Sequence, residues 1–192
     1  MSDLLSIFIK SAIVDNVVFI QYLAICPFIG MTSDTQKATG MSLATTFVII
    51  LATAVTWPLY KFILVPLHIE FLRTLIFILV IASLVQLVEF YLKKSSPALY
   101  SSMGVYLALI TTNCAVLGVT IKCIDKSYNY GESLIYALGA AIGFLLSMVI
   151  MSAVRSRIKT AKLPKAFTGV PILYVAAGLL SLAFLGFSGL IK

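Results

Sequence analysis

The chain has 192 residues, 61% of them hydrophobic and only 11% charged, with a net charge of +7. A soluble domain carries roughly 25% charged residues, so this composition excludes a water-facing globule and predicts an integral membrane protein. The positive balance is not a nucleic-acid signal, because many of the Lys and Arg fall between apolar runs, where they set orientation in a bilayer.

A helix that crosses a bilayer needs about 20 apolar residues. Six runs meet that length, at residues 4–29, 41–65, 71–92, 103–121, 134–154 and 171–191. The first lacks the basic start and Ala-x-Ala-like site of a cleavable signal peptide. The connections are short and hold most of the charge: Asp34 and Lys37; Lys93 and Lys94; Lys122, Asp125 and Lys126; then Arg155, Arg157, Lys159, Lys162 and Lys165. None is long enough for a soluble domain, so one transmembrane domain is expected over 1–192. With six spans, the first, third and fifth connections share a side and carry eight basic residues against six on the other. The short fifth connection concentrates five of them, which places it in the cytoplasm and both termini outside.

One stretch stands apart: Leu109-Ile110-Thr111-Thr112-Asn113-Cys114-Ala115-Val116-Leu117-Gly118-Val119-Thr120. It is apolar at both ends and polar at the middle. A weaker copy, Cys26-Pro27-Phe28-Ile29-Gly30-Met31-Thr32, lies 88 residues earlier. That offset is close to half the chain and predicts two related halves, about 1–96 and 97–192. Three spans per half is an odd number, so the halves form inverted repeats, which commonly build a site near the midplane from interrupted helices. The first and fourth spans are expected to be broken half-helices. Pro27 lacks a backbone donor and disfavours helix at Cys26, Gly30 follows, and Gly118 allows another chain segment to approach closely.

A lone membrane Cys usually serves as a small packing side chain. Two at matched repeat positions would meet near the pseudo-axis. A disulfide there gains little; soft thiolates suit iron–sulfur clusters or zinc. A cluster normally takes four thiolates, and this chain offers two. Cys123 is nine positions past Cys114, about 13 Å along a helix, and reads as a bystander in a loop. The single His, His68, reads as interfacial. A four-thiolate site therefore needs a second, similar subunit. Among the other polar residues, Glu89 in the third run and Asp15, next to Asn16 and with Lys10 in the first run, are candidates for an ion path. Each also reads as a structural pair, Glu89 with Lys93 four residues on and Asp15 near the membrane edge. Thr112 and Asn113 either satisfy backbone at a break or donate hydrogen bonds to a cofactor. Gly139 and Gly143, at spacing four, read as close helix packing.

The segments around Cys26 and Cys114 resemble the A-subunit family of the Rnf electron-transport complex, with similarity to the E subunit of sodium-pumping NADH:quinone oxidoreductase. So do residues 40–48, 72–75, 77–82 and 181–190. The resemblance covers essentially the whole chain. It implies a prokaryotic inner-membrane subunit of a complex that couples electron flow between ferredoxin and NAD to transport of sodium ions or protons. It also implies a [2Fe-2S] cluster held by Cys26 and Cys114 together with two Cys from a homologous, oppositely oriented subunit. Flavins and NAD would then belong to other subunits, and Thr112, Asn113, Gly30 and Gly118 are the residues expected to line the site. Two further readings stay open: a small inverted-repeat ion transporter whose Cys only pack, and a scaffold subunit without a cluster.

Overall fold

The computed structural model describes residues 2–67, 70–95, 107–160, 164 and 169–189. His68, Lys162 and Lys165 lie outside them, as does the side chain of Lys93. The described residues form helices and no strands: α1 (Ser2–Ile9), continued by a π-helical turn at Lys10–Val14; α2 (Ile25–Met31); α3 (Thr35–Leu59), continued by a π-helical turn at Tyr60–Leu64; α4 (Val65–Leu67); α5 (Arg73–Ser95); α6 (Leu107–Thr111); α7 (Cys114–Asp125); α8 (Tyr130–Thr160); and α9 (Val170–Leu185), with short 3-10 turns at Glu70–Leu72 and Gly186–Gly189. Three described helices are long and apolar enough to cross a membrane, at Thr35–Leu64, Arg73–Phe90 and Tyr130–Thr160. Shorter apolar helices occupy Leu4–Val14 and Val170–Leu185.

Helix α8 is the centre of the bundle. It runs along α3 and also touches α1, α7 and α9. Small residues make this possible. A Cβ added at Gly143 would stand 2.6 Å from the Ala12 carbonyl oxygen, and one added at Gly139 would meet the Ser11 hydroxyl and, at 2.7 Å, the Phe8 carbonyl oxygen. Bare glycine thus lets the backbone of α1 lie directly on α8, as small residues do where lipid offers no hydrophobic drive for helices to associate.

The first apolar run is interrupted after Val14, and regular helix resumes only at Ile25. Backbone polar groups released by such a break have no water to turn to in a bilayer, so the break is tolerated only inside protein. Val17, Val18, Phe19 and Ala24 are accordingly buried. Asn16, fully buried, replaces the missing helical bonds. Its Oδ1 accepts from the Val18 and Phe19 amides at 3.0 and 3.2 Å. Its Nδ2 donates to the carbonyls of Ala12 and Gly143 at 3.2 and 3.1 Å. The Ser147 hydroxyl on α8 reaches the same Oδ1 at 3.0 Å. One side chain thereby closes the break and fastens it to α8.

The interruption does not lie where the proline suggests. Cys26 and Pro27 are helical, at the second and third positions of α2. Amides in the first turn of a helix have no intrahelical partner, so the donor that Pro27 lacks is not missed there. Gly30 sits inside the same short helix. The fourth run is also interrupted, between α6 and α7, at Thr112 and Asn113. Asn113 caps α7, its Oδ1 accepting from the Ala115 amide at 3.0 Å, a favoured role for Asn at a helix start. Cys123 lies in helix α7 rather than a loop, buried, with its thiol 3.7 Å from the Ser133 carbonyl. The helix runs on through Lys122 to Asp125, so the charges that close the apolar run do not end the helix.

Candidate functional site

The two interruptions meet. The Ala24 amide donates to the Cys114 sulfur at 2.9 Å, and a Cβ on Gly118 would collide with the side chain of Leu23. The sulfur of one motif is therefore held by backbone two residues before the cysteine of the other. Cys114 is the first residue of α7 and Cys26 the second of α2. Both thiols thus stand at helix starts, where unpaired N–H groups and the helix dipole favour negative charge. Cys26 is exposed and Cys114 half-buried.

The approach to Cys26 is strained. Tyr22 and Ala24 have φ of 55° and 59°, left-handed values that cost a residue with a Cβ roughly 1–2 kcal/mol. Packing enforces them. Ala24 is completely buried, and the Tyr22 hydroxyl bonds Ser181 on α9 at 2.9 Å. Ser181 in turn donates to the Phe19 carbonyl. With its proton used there, Ser181 accepts from Tyr22. Strained, over-determined backbone of this kind clusters at functional sites. Nothing in an Ala or a Tyr announces a left-handed backbone, so the sequence held no signal for either residue.

The far end of α2 is clamped as well. The Arg155 guanidinium on α8 donates to the Ile29 carbonyl at 2.7 Å and to the Thr32 hydroxyl at 3.2 Å. Lys159 donates to the Ser33 carbonyl at 2.9 Å. A cation at a helix C-terminus satisfies carbonyls left without partners. Arg155→Met is expected to speed amide hydrogen exchange across residues 28–33 about tenfold, the effect of losing a charge-assisted bond of about 1.4 kcal/mol. Exchange in α5 serves as the unchanged reference.

Between α2 and α9 the surface opens on an apolar groove of about 150 Å³, with Ile25, Phe28 and Ile29 on one wall and Tyr174, Ala177 and Gly178 on the other. A Cβ added at Gly30 or Gly178 would meet nothing within 4 Å. The Cys26 face is thus open, while the Cys114 sulfur turns inward to Ala24.

The remaining candidates fall elsewhere. Asp15 lies in the first interruption and pairs with Lys126, not with Lys10; its Oδ2 is 2.8 Å from the Lys126 ammonium. Burial works against the Lys126 charge, but the hydrogen bond and opposite charge of Asp15 prevail and hold its pKa above the ordinary value. Glu89 is half-buried on α5, one turn beyond buried Val85. Thr112 is exposed at the second interruption.

Two thiols are half the ligand set of an iron–sulfur cluster. The residues fit that half. They are soft donors at helix starts, one exposed toward an open face. Beside Cys114, the Asn113 Nδ2 is buried without a partner, one amide donor left over for an acceptor. Among the described residues, no group of three or more His, Cys, Asp and Glu is gathered to hold a metal within this chain.

A family model described as "Rnf-Nqr subunit, membrane protein" matches residues 4–191. The chain is 47% identical over 191 residues to a protein of Syntrophotalea carbinolica named as the A subunit of an ion-translocating oxidoreductase complex, covering all of this chain and 99% of the relative. It is 48% identical over 192 residues to the proteins of the same name in Edwardsiella ictaluri and Proteus mirabilis, covering both chains completely in each case.

Proposed function

The chain belongs to the Rnf-Nqr family of membrane subunits, and from that premise we propose that it is the A subunit of an ion-translocating oxidoreductase complex, not catalytic alone, that helps carry electrons through the membrane interior. Cys26 and Cys114 supply two ligands of a [2Fe-2S] cluster, and a homologous subunit in the opposite orientation supplies two more. When bound, that cluster supplies a one-electron relay within the bilayer. Flavins and NAD reside on other subunits, and electron flow is coupled to transport of Na+ or H+. The chain spans the inner membrane six times as two inverted three-helix repeats, with both termini outside.

One observation carries this reading: the Ala24 amide bonded to the Cys114 sulfur, which ties together two cysteine motifs 88 residues apart in sequence. What the chain itself does follows from its geometry. The Arg155 clamp and the strained Tyr22–Ala24 segment fix α2, and Asn113 fixes the start of α7. The N–H bond to sulfur adds to the Asn113 amide as a means of stabilising charge there, and hydrogen bonds to ligand sulfurs tune reduction potential. The exposed Cys26 face leaves room for a partner subunit.

The test is iron content. The purified complex, dissociated to the pair formed by this chain and its homologue, is expected to retain about two irons per pair and a [2Fe-2S] absorption and EPR signature. A pair that is intact, colourless and iron-free would instead support a transporter or scaffold role.

A further inference from the structure

We propose that the notch between the end of α3 and the α7–α8 turn binds the phosphate of an anionic phospholipid at the membrane surface. Trp57 builds its frame. The Trp57 Nε1 donates to the Tyr128 carbonyl at 2.9 Å, and its ring packs edge-on against Tyr130, with centroids 5.3 Å apart. Trp and Tyr gather where a bilayer meets water, at the level of the headgroups, so this cluster puts the notch at headgroup depth. The notch measures about 300 Å³, the lower end of the range of ligand pockets.

Its polar lining consists of donors. The Lys61 ammonium stands 5.0 Å from the centre of the Trp57 ring, a cation–π contact that holds it at the notch. Tyr60, Ser127 and Asn129 bring a phenol, a hydroxyl and an amide to the same cavity, each with a hydrogen to donate. Among the described residues no carboxylate pairs with Lys61, because the acids around this turn are engaged elsewhere. Asp125 pairs with Arg73 at 2.8 Å, Asp15 pairs with Lys126 at 2.8 Å, and Glu132 accepts from the Asn129 backbone amide at 3.0 Å. An ammonium at headgroup depth with no counter-ion in its own chain attracts an anionic lipid. No carboxylate lines the notch to receive the amine of a zwitterionic headgroup, so the match is a phosphate that keeps its net negative charge. Val65, itself exposed, and Ile124 make the rest of the wall apolar, which suits the carbon atoms next to that phosphate. The π-helical turn at Tyr60–Leu64, just after Pro58 in α3, carries both Tyr60 and Lys61, and such turns are frequent at functional sites. This inference stands whether or not Cys26 and Cys114 hold iron.

The experiment is photo-crosslinking in the whole complex, reconstituted in phosphatidylcholine bilayers. Phosphatidylglycerol carrying a diazirine near its glycerol is added at trace level, and phosphatidylcholine carrying the same group serves as the comparison. Labelled residues are read by peptide mass spectrometry and normalised to total labelling of the chain. Phosphatidylglycerol is expected to label residues 57–65 and 124–129 more strongly than phosphatidylcholine does. Lys61→Met should lower that labelling about fivefold, the weight of one Lys at an anionic headgroup, while Lys61→Arg retains it. Lys61 is exposed, so neither variant should disturb assembly. Equal labelling by the two lipids in the wild type overturns the proposal without any variant. Unchanged labelling in Lys61→Met also overturns it. Absence of label at both segments, the result expected if another subunit fills the notch, does the same.

Discussion

Cys26→Ala is expected to remove the [2Fe-2S] signal from the assembled complex and take the iron of the subunit pair to near zero, with the complex still assembling. The effect is large because ligation is not graded: a cluster held by four thiolates loses a quarter of its donors, and alanine offers nothing in exchange. Assembly should survive because Cys26 is exposed in this chain and its helix is held at the other end by Arg155. Cys114→Ala should also remove the signal, but it is the less clean substitution. It leaves the Ala24 amide, completely buried, without the sulfur that accepts from it, and an orphaned buried donor costs roughly 1–3 kcal/mol. Cys114→Ser is the better partner variant, since a hydroxyl still accepts from that amide while being a poor ligand for iron. EPR and iron analysis on membranes checked for assembly decide the matter. A cluster that persists in both Cys26→Ala and Cys114→Ser would remove the two cysteines from its ligand set.

The helical, membrane-embedded character was legible from composition, because charge content cannot be hidden by folding. The two cysteine segments stand out in the sequence as similar letters at a half-chain offset. The bond that joins them does not, since it comes from a backbone amide of an alanine. Local rules misplaced the first interruption. Pro27 breaks a helix only when it lies beyond the first turn, and where that turn begins is set upstream by Asn16 and its contacts with Gly143 and Ser147, 127 and 131 residues away. The Asp15–Lys126 pair hid for the same reason. The nearby Lys10 suggested a local partner, whereas the actual one is 111 residues on. Residues paired by helix spacing can be read from sequence; those paired by the meeting of two breaks cannot.

Gly143→Val should damage the fold more than any polar substitution outside the cysteines. Its Cβ would stand 2.6 Å from the Ala12 carbonyl oxygen and 3.2 Å from the carbonyl carbon and Cα of that residue. These are backbone atoms, which cannot rotate away as a side chain would. Helix α1 must lift from α8, and lifting it carries Asn16 off the Gly143 carbonyl and the Ser147 hydroxyl. Overpacking alone typically costs about 1–3 kcal/mol, and each buried polar group that loses its partner adds roughly 1–3 kcal/mol. A total of about 4 kcal/mol is a large fraction of the margin that holds a domain folded. The expected result is loss of the subunit from detergent-solubilised complex, or a thermal transition lowered by about 10 °C or more. Gly131→Ala is the matched control: that glycine also lies in α8, but a Cβ there would meet nothing within 4 Å, so the transition should not fall. If Gly143→Val instead melts like the wild type, α1 does not lie on α8 at Gly143, and the anchoring of the first interruption through Asn16 goes with it.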